Sequence, residues 1–130
     1  ALGSESAWIV HGSDGLDELT VTGPSQVAAL KDSQVSTFEI SPEDAGLSVH
    51  KAADLKGGEP EDNAKALSAL LDGMPGAYRD IVLLNAAAAL IVAGKASDLK
   101  GGVAQADTAI DSGKAEETLA KLAAITQGNA

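Results

Sequence analysis

The sequence contains no cysteine, and aromatic residues make up only 2% of it. The absence of cysteine excludes disulfide bonds and thiolate metal sites. The scarcity of aromatic residues leaves small and aliphatic side chains, many of them alanine, to form the core by close packing. With 130 residues, the chain is still long enough for one domain with a modest core.

Basic residues and long apolar runs are scarce as well. The chain has 9 Lys and Arg against 19 Asp and Glu, which gives a formal net charge of −10. This charge argues against wrapping a nucleic-acid backbone and is typical of a soluble protein. If the chain meets phosphates, a cation or a partner segment must offset the repulsion. The most apolar run, residues 81–93, is interrupted by Asn85 and is too short to cross a bilayer.

The first forty residues predict a small group of strands. The apolar run at residues 8–11, WIVH, predicts a strand that is buried on both faces and has parallel neighbours. Residues 26–30 and 35–40 predict the two arms of a hairpin, and residues 19–22 alternate weakly. These segments can extend a sheet in antiparallel fashion, but they do not supply the parallel neighbours.

The start of the chain supports the interpretation that something is missing. It has no initiator methionine, and Ala1-Leu2-Gly3 resembles the tail of a helix with its glycine stop. We therefore expect a fragment, or one of two pieces of a longer protein. Simple processing of the amino terminus is the alternative.

Helices are predicted to dominate after Ser41-Pro42-Glu43-Asp44, which is typical of a helix start. Proline, acidic residues and glycine stops delimit four segments, at 60–72, 75–93, 98–112 and 114–126. The second is apolar all round and should be central, so Asn85 must find hydrogen-bond partners there. The last should bury Ala115, Leu119, Leu122 and Ala123. The pentapeptide DLKGG occurs at 54–58 and 98–102, and we interpret it as two similar helix approaches.

Asp17 and Glu18 are the strongest candidates for a functional site, because they follow the apolar strand through a glycine-containing turn. In open α/β sheets, ligands bind at the carboxyl ends of strands. Magnesium is usually held by one or two carboxylates together with waters and substrate phosphates. An acidic helix start or a solvated turn has the same spacing, so both interpretations stay open.

The histidines and the Arg79-Asp80 pair give weaker indications. His11 could bind a substrate oxygen or transfer a proton, or it could bond a carbonyl and shape the loop. His50 stands alone in a loop and is given no role, and no H-x-x-x-H spacing suggests zinc. Arg79 and Asp80 form either a local ion pair or a docking point, and we favour a structural role.

Several motifs resemble those of the anthranilate phosphoribosyltransferases. The segment HGSDGLDEL is similar to the family's H-G-x-D-G-x-D-E, and ISPEDAGL is similar to its PEDFGL-like segment. Residues 53–96 resemble its run of G-G-x-x-x-x-N-A, L-x-G and R-D-x-x-x-x-N-A-A. Residues 102–122 resemble its last two helices. The resemblance covers almost the whole chain, in order.

This resemblance implies an α/β fold. Residues 1–130 are then the carboxyl-terminal part of a mixed-sheet phosphoribosyltransferase domain of the nucleoside phosphorylase and anthranilate phosphoribosyltransferase type, helix-rich in its second half. The implied reaction transfers phosphoribosyl from phosphoribosyl pyrophosphate to the amino group of anthranilate, in cytoplasmic tryptophan biosynthesis. Two magnesium ions sit on the pyrophosphate, and Asp17 and Glu18 help to bind them, with Glu18 as the bridge.

Other family segments have no counterpart in this sequence. These are the G-T-G-G-D pyrophosphate loop, the N-x-S-T and lysine-histidine-glycine segments, the arginine that meets anthranilate, and the small helical domain that forms the homodimer. All of them lie upstream in the family, so we expect the substrate contacts in a missing amino-terminal part and an inactive chain on its own. A pyrimidine nucleoside phosphorylase and a non-catalytic scaffold or regulatory module are the alternatives.

Overall fold

The computed structural model describes residues 3–128, in which three strands precede four helices. The strands are β1 (Ser6–Gly12), β2 (Ser25–Lys31) and β3 (Gln34–Ile40), and the helices are α1 (Pro60–Leu71), α2 (Ala77–Val92), α3 (Leu99–Asp111) and α4 (Lys114–Thr126). Two 3-10 turns, Pro42–Ala45 and Ala52–Leu55, connect the two halves. The helix tail predicted at the amino terminus includes Ala1 and Leu2, which lie outside the described residues.

The sheet has the order β1-β2-β3, and both strand pairs are antiparallel. β2 and β3 form the predicted hairpin, closed by a two-residue turn at Asp32 and Ser33. Both turn residues have positive φ, 50° and 62°, which matches the right-handed twist of the flanking strands. The hairpin prediction is therefore confirmed.

The prediction of a strand at residues 8–11 is confirmed, whereas the parallel neighbours expected from a missing part of the protein stay a prediction. β1 lies at the edge of the sheet, and within residues 3–128 its one neighbour is the antiparallel β2. Trp8 and Val10 are half-buried, whereas Ile9 is 75% exposed. An apolar run indicates a strand suited to burial, but it does not specify the direction or the presence of neighbours.

The segment between β1 and β2 forms part of the core instead of the weak strand expected at residues 19–22. Leu19, Thr20 and Val21 are at most 1% exposed, and no strand is present there. Leu19 and Val21 join Val27 and Ile40 from the inner face of the sheet in one hydrophobic cluster. A second cluster, formed by Leu70, Leu83, Ala106 and Ile110, joins the helices.

The helix predictions are confirmed to within two residues at each end. α2 is central, as expected, because it contacts the sheet as well as α1 and α3. α3 packs closely along it, with Gly102 buried against Ala87. Arg79 has the structural role that we favoured, but its partners are Asp107 and Asp111 of α3, each at 2.6 Å.

The buried stripe predicted for α4 is wrong. None of its residues is fully buried, and Leu119 and Leu122 are 36% and 57% exposed. The helical period of apolar residues defines a face, but it does not say whether anything covers that face. Among residues 3–128 there is no helix with the length and hydropathy needed to cross a membrane.

Candidate functional site

The loop after β1 is compact because its backbone closes on itself. The Gly12 amide donates to the Leu16 carbonyl at 3.0 Å, and the Gly15 amide donates back to the Gly12 carbonyl at 3.0 Å. Gly15 has a φ of +93°, in the region that favours glycine. Gly12 is buried, and a Cβ there would lie 3.1 Å from Thr20 Cβ. The two glycines thus allow the chain to turn tightly before Asp17.

Asp14 organises this loop, and the sequence alone did not single it out. Its Oδ2 accepts hydrogen bonds from the hydroxyls of Thr20 and Thr22 at 2.6 and 2.7 Å, and its Oδ1 accepts from the Leu16 amide at 3.2 Å. Burial opposes ionisation, but these hydrogen bonds outweigh it and lower the pKa of the Asp14 carboxyl. The bond from the Leu16 amide to the Asp14 side chain, two residues earlier, is an Asx-turn. Aspartate favours such turns in loops.

Asp17 and Glu18 follow in an exposed bend, immediately before the buried Leu19. Partial burial, followed by the negative charges of Asp17 and Asp14, raises the pKa of the Glu18 carboxyl. Like charges disfavour ionisation of a neighbouring carboxyl. Asp14 and Asp17 therefore repel the ionised Glu18 carboxylate. A bound cation would reduce this repulsion.

A cavity of about 300 Å³ adjoins two of these carboxylates, those of Asp14 and Glu18. Asp14, Leu16 and Glu18 line it from the loop, Ala52 and Leu55 from the second 3-10 turn, and Tyr78 and Ile81 from α2. The site thus combines an acidic rim with a mostly apolar wall. Such a concave surface with a few polar groups is typical of ligand pockets.

Asn85 of α2 holds the backbone next to Glu18. Its Oδ1 accepts from the Leu19 amide at 2.9 Å, and its Nδ2 donates to the carbonyls of Leu19 and Ile81 at 2.8 and 3.0 Å. The prediction that Asn85 finds hydrogen-bond partners is confirmed, although the residue is half-buried and not fully enclosed. The predicted apolar helix thus presents one polar group to the loop of the site.

The two histidines lie in different settings. His11 is exposed on the outer face of the sheet, across from Gln26. His50, which received no role, has its Nε2 2.6 Å from Asp80 Oδ2, and its amide donates to the Val21 carbonyl at 2.8 Å. His50 therefore links the second 3-10 region to α2 and to the segment that follows Glu18. Its 30-residue separation from Asp80 left no local sequence signal.

The carboxylate oxygens of the loop suit a hard cation that is also coordinated by a bound substrate. Within residues 3–128, no three His, Cys, Asp or Glu side chains converge into a full metal cage. Magnesium does not need one, because one or two carboxylates plus water and phosphate oxygens complete its octahedron. Asp17 and Glu18 fit that role, since burial and neighbouring negative charge raise the pKa of Glu18 and a cation would offset both effects.

The family comparison covers most of the chain. The model of the glycosyl transferase family, a/b domain, matches residues 1–116. An anthranilate phosphoribosyltransferase of Parvibaculum lavamentivorans is 65% identical over 127 residues, which are 98% of this chain and 37% of that protein. One from Rhodospirillum rubrum is 60% identical over 95% of this chain and 36% of that protein. The chain therefore spans little more than a third of the length of these relatives.

Solved structures give the same result. The anthranilate phosphoribosyltransferase of Thermus thermophilus has a TM-score of 0.80 and 37% identity, over 89% of this chain and 34% of that one. The Saccharomyces cerevisiae enzyme in complex with PRPP and Mg has a TM-score of 0.82 and 29% identity, over 91% and 34%. These matches confirm the α/β fold and the resemblance found in the motifs. They favour it over a pyrimidine nucleoside phosphorylase.

Proposed function

Because this chain belongs to the glycosyl transferase family, whose α/β-domain model matches residues 1–116, we propose that it forms the carboxyl-terminal part of an anthranilate phosphoribosyltransferase domain. The proposed reaction transfers phosphoribosyl from phosphoribosyl pyrophosphate to the amino group of anthranilate and releases pyrophosphate. The observation that carries the proposal is the acidic loop of Asp17 and Glu18 beside a cavity, in a chain similar to enzymes of that name.

In this reaction, Asp17 and Glu18 bind magnesium against the pyrophosphate of the donor. When bound, the metal stabilises the negative charge that develops on the leaving group as its bond to C1 breaks. Glu18 is the candidate bridge between two ions, and Asp17 contacts one. The carboxylates do not serve as a general base on anthranilate, since its aryl amine is already an uncharged nucleophile at neutral pH. With a net charge of −10, the repulsion between the chain and the phosphates of the donor has to be offset by the cations or by the partner segment.

The missing amino-terminal part of the enzyme is the proposed partner. No described residue pairs with the outer edge of β1, and an unpaired edge is a template for another strand. A groove of about 510 Å³ runs along this edge between β1 and α2, lined mainly by apolar side chains including Trp8, Val10 and Val92. A strand from the missing part that paired with β1 would cover both features. The same proposal includes a cytoplasmic homodimer formed through the helical domain upstream.

The test is a magnesium titration of turnover in the complete enzyme, at fixed donor and anthranilate concentrations. Glu18→Gln keeps the shape and removes the charge, so we expect the magnesium needed for half-maximal turnover to rise at least about tenfold. High magnesium should restore part of the rate, and the KM for anthranilate should change less. Asp17→Asn should have the same effect, less severely.

A matched control separates local from general electrostatics. Glu117→Gln removes an exposed carboxylate from the first turn of α4 and should leave the titration unchanged. If both loop variants keep the magnesium dependence of the parent, the metal-binding role is wrong and the pair is a solvated turn. A non-catalytic module, in turn, predicts no turnover in the complete protein at any magnesium concentration.

A further inference from the structure

We propose that Asn85 is a positioning residue that sets the location of the Glu18 carboxylate from within α2. This inference rests on the proposed role of Glu18 and goes beyond it, because Asn85 itself faces a backbone segment and not the cavity. Three hydrogen bonds fix the amide: one accepted from the Leu19 amide and two donated, to the carbonyls of Leu19 and Ile81. Both Nδ2 hydrogens and one Oδ1 lone pair are therefore used.

Asn85 holds Leu19, which follows Glu18 directly in the chain. Leu19 is 0% exposed, so in the intact structure its amide and carbonyl depend on Asn85, and not on water, for hydrogen bonds. One side chain satisfies both groups, at 2.9 and 2.8 Å. The bond from Nδ2 to the Ile81 carbonyl, one turn earlier in the same helix, fixes the orientation of the amide. The backbone that follows Glu18 is thus fixed to a rigid helix.

The other side of the loop is fixed independently. Asp14 gathers the hydroxyls of Thr20 and Thr22, and the Thr20 amide donates to Ser25 Oγ at 3.0 Å. These bonds hold the segment after Leu19 to the start of β2. Asn85 hydrogen-bonds the same segment to α2 directly, so its removal loosens the loop at Glu18 while the core contacts of Leu19 and Val21 with α2 remain. We therefore expect a displaced Glu18 in a protein that remains folded.

Groups that orient metal ligands without touching the metal typically change affinity by about 10- to 100-fold when mutated. Asn85→Asp is the sharpest variant, since it keeps the acceptor for the Leu19 amide and turns an oxygen toward the two carbonyls. Asn85→Ala removes all three bonds and serves if the aspartate variant does not fold. Asn63→Asp is the matched control, because Asn63 holds Gly58 by the same pair of bonds, at 2.9 and 3.0 Å, in an exposed loop.

The experiment uses the complete enzyme with phosphoribosyl pyrophosphate and without anthranilate, so that magnesium binding is measured by calorimetry in the absence of turnover. Hydrogen exchange of the peptide covering residues 16–22 is measured on the same samples. We expect Asn85→Asp to weaken magnesium binding about 10- to 100-fold and to speed exchange in this peptide. Asn63→Asp should change neither quantity. In the double variant with Glu18→Gln, the Asn85 substitution should add little, because both act on one ligand.

Two results would overturn the inference, and they are distinguishable. If Glu18→Gln weakens magnesium binding but Asn85→Asp and Asn85→Ala change it by less than about threefold, while exchange in residues 16–22 is faster, Asn85 serves the fold alone. If Glu18→Gln itself leaves magnesium binding unchanged, the proposed function of the carboxylates fails, and the positioning role fails with it.

Discussion

The contact between α2 and α3 predicts how Gly102→Ala changes the free energy of unfolding. A gain in helix propensity opposes the steric cost of an added methyl group. Gly102 lies in the first turn of α3 and is buried. A Cβ at this position would lie 2.7 Å from Ala87 Cβ and 2.8 Å from Ala87 Cα. Ala87 is 0% exposed and belongs to the central helix. The substitution Gly102→Ala therefore places a methyl group against a backbone that cannot move without shifting α2.

The magnitude follows from comparing the two effects. Alanine has a helix propensity about 1 kcal/mol better than that of glycine. Overpacking a well-packed core costs about 1–3 kcal/mol. Because the overlap involves a backbone atom and not the end of a flexible side chain, we expect the steric cost to lie near the upper part of that range. Gly102→Ala should then lower the free energy of unfolding by about 1–2 kcal/mol.

Gly101→Ala is the matched control, one residue earlier in the same turn. Its Cβ would lie 3.2 Å from Asp98 Oδ1, which caps α3 and needs to shift by only a few tenths of an ångström, so stability should change less than in Gly102→Ala. Urea unfolding of the complete enzyme, followed by helical circular dichroism at constant protein concentration, measures both variants. Ala87→Gly has its own cost in helix propensity, but it removes the overlap with Cβ, so in the double variant the two losses should be less than additive. A Gly102→Ala protein at least as stable as the parent would refute the packing argument.

Two further predictions concern charge and association. Burial and the charges of Asp17 and Asp14 raise the pKa of Glu18, so its ionised form costs stability above that pKa. Glu18→Gln should therefore be as stable as the parent at pH 7 or more stable by up to about 0.5 kcal/mol, and the difference should shrink as the pH falls below 4.5, the ordinary value. Thermal unfolding at several pH values measures this, and a clearly destabilised variant at pH 7 would contradict it. The isolated 130-residue chain should be unstable or associate with an amino-terminal partner, because the edge of β1 is open. Sedimentation and intact-mass spectra test this expectation, and a monomer that unfolds cooperatively would count against it.

The helices and the hairpin could be predicted because their signals are local. Pro60 begins α1, and glycines stand just beyond the ends of the helices, as at Gly94 and Gly113. Asp32-Ser33 closes the hairpin between two runs of alternating residues. Each of these signals acts through backbone geometry within a few residues, so it does not depend on the rest of the fold.

The contacts that shape the candidate site could not be predicted in the same way. Asn85 and Leu19 are 66 residues apart, and His50 and Asp80 are 30 apart. The sequence indicated that Asn85 needed partners, but it did not identify them. Burial of α4 was overestimated for a related reason, since an apolar face says what a segment can bury and not what covers it.

The two DLKGG copies separate what the sequence determined from what the tertiary structure decided. The sequence by itself determined the family resemblance, the helix boundaries and the acidic loop at Asp17 and Glu18. It also placed the second pentapeptide in the helix predicted at 98–112 and the first outside any predicted helix, but it could not say which copy packs against α2. In the second copy, Asp98 caps α3 and Gly102 lies against Ala87. In the first copy, the chain leaves a 3-10 turn, and Asn63 holds Gly58. Pro60 stands two residues after the first copy and prevents a helix from continuing through it, whereas α3 runs through the second copy without interruption. α2 lies beside the second copy at a distance that only glycine allows, and this contact fixes the helix there.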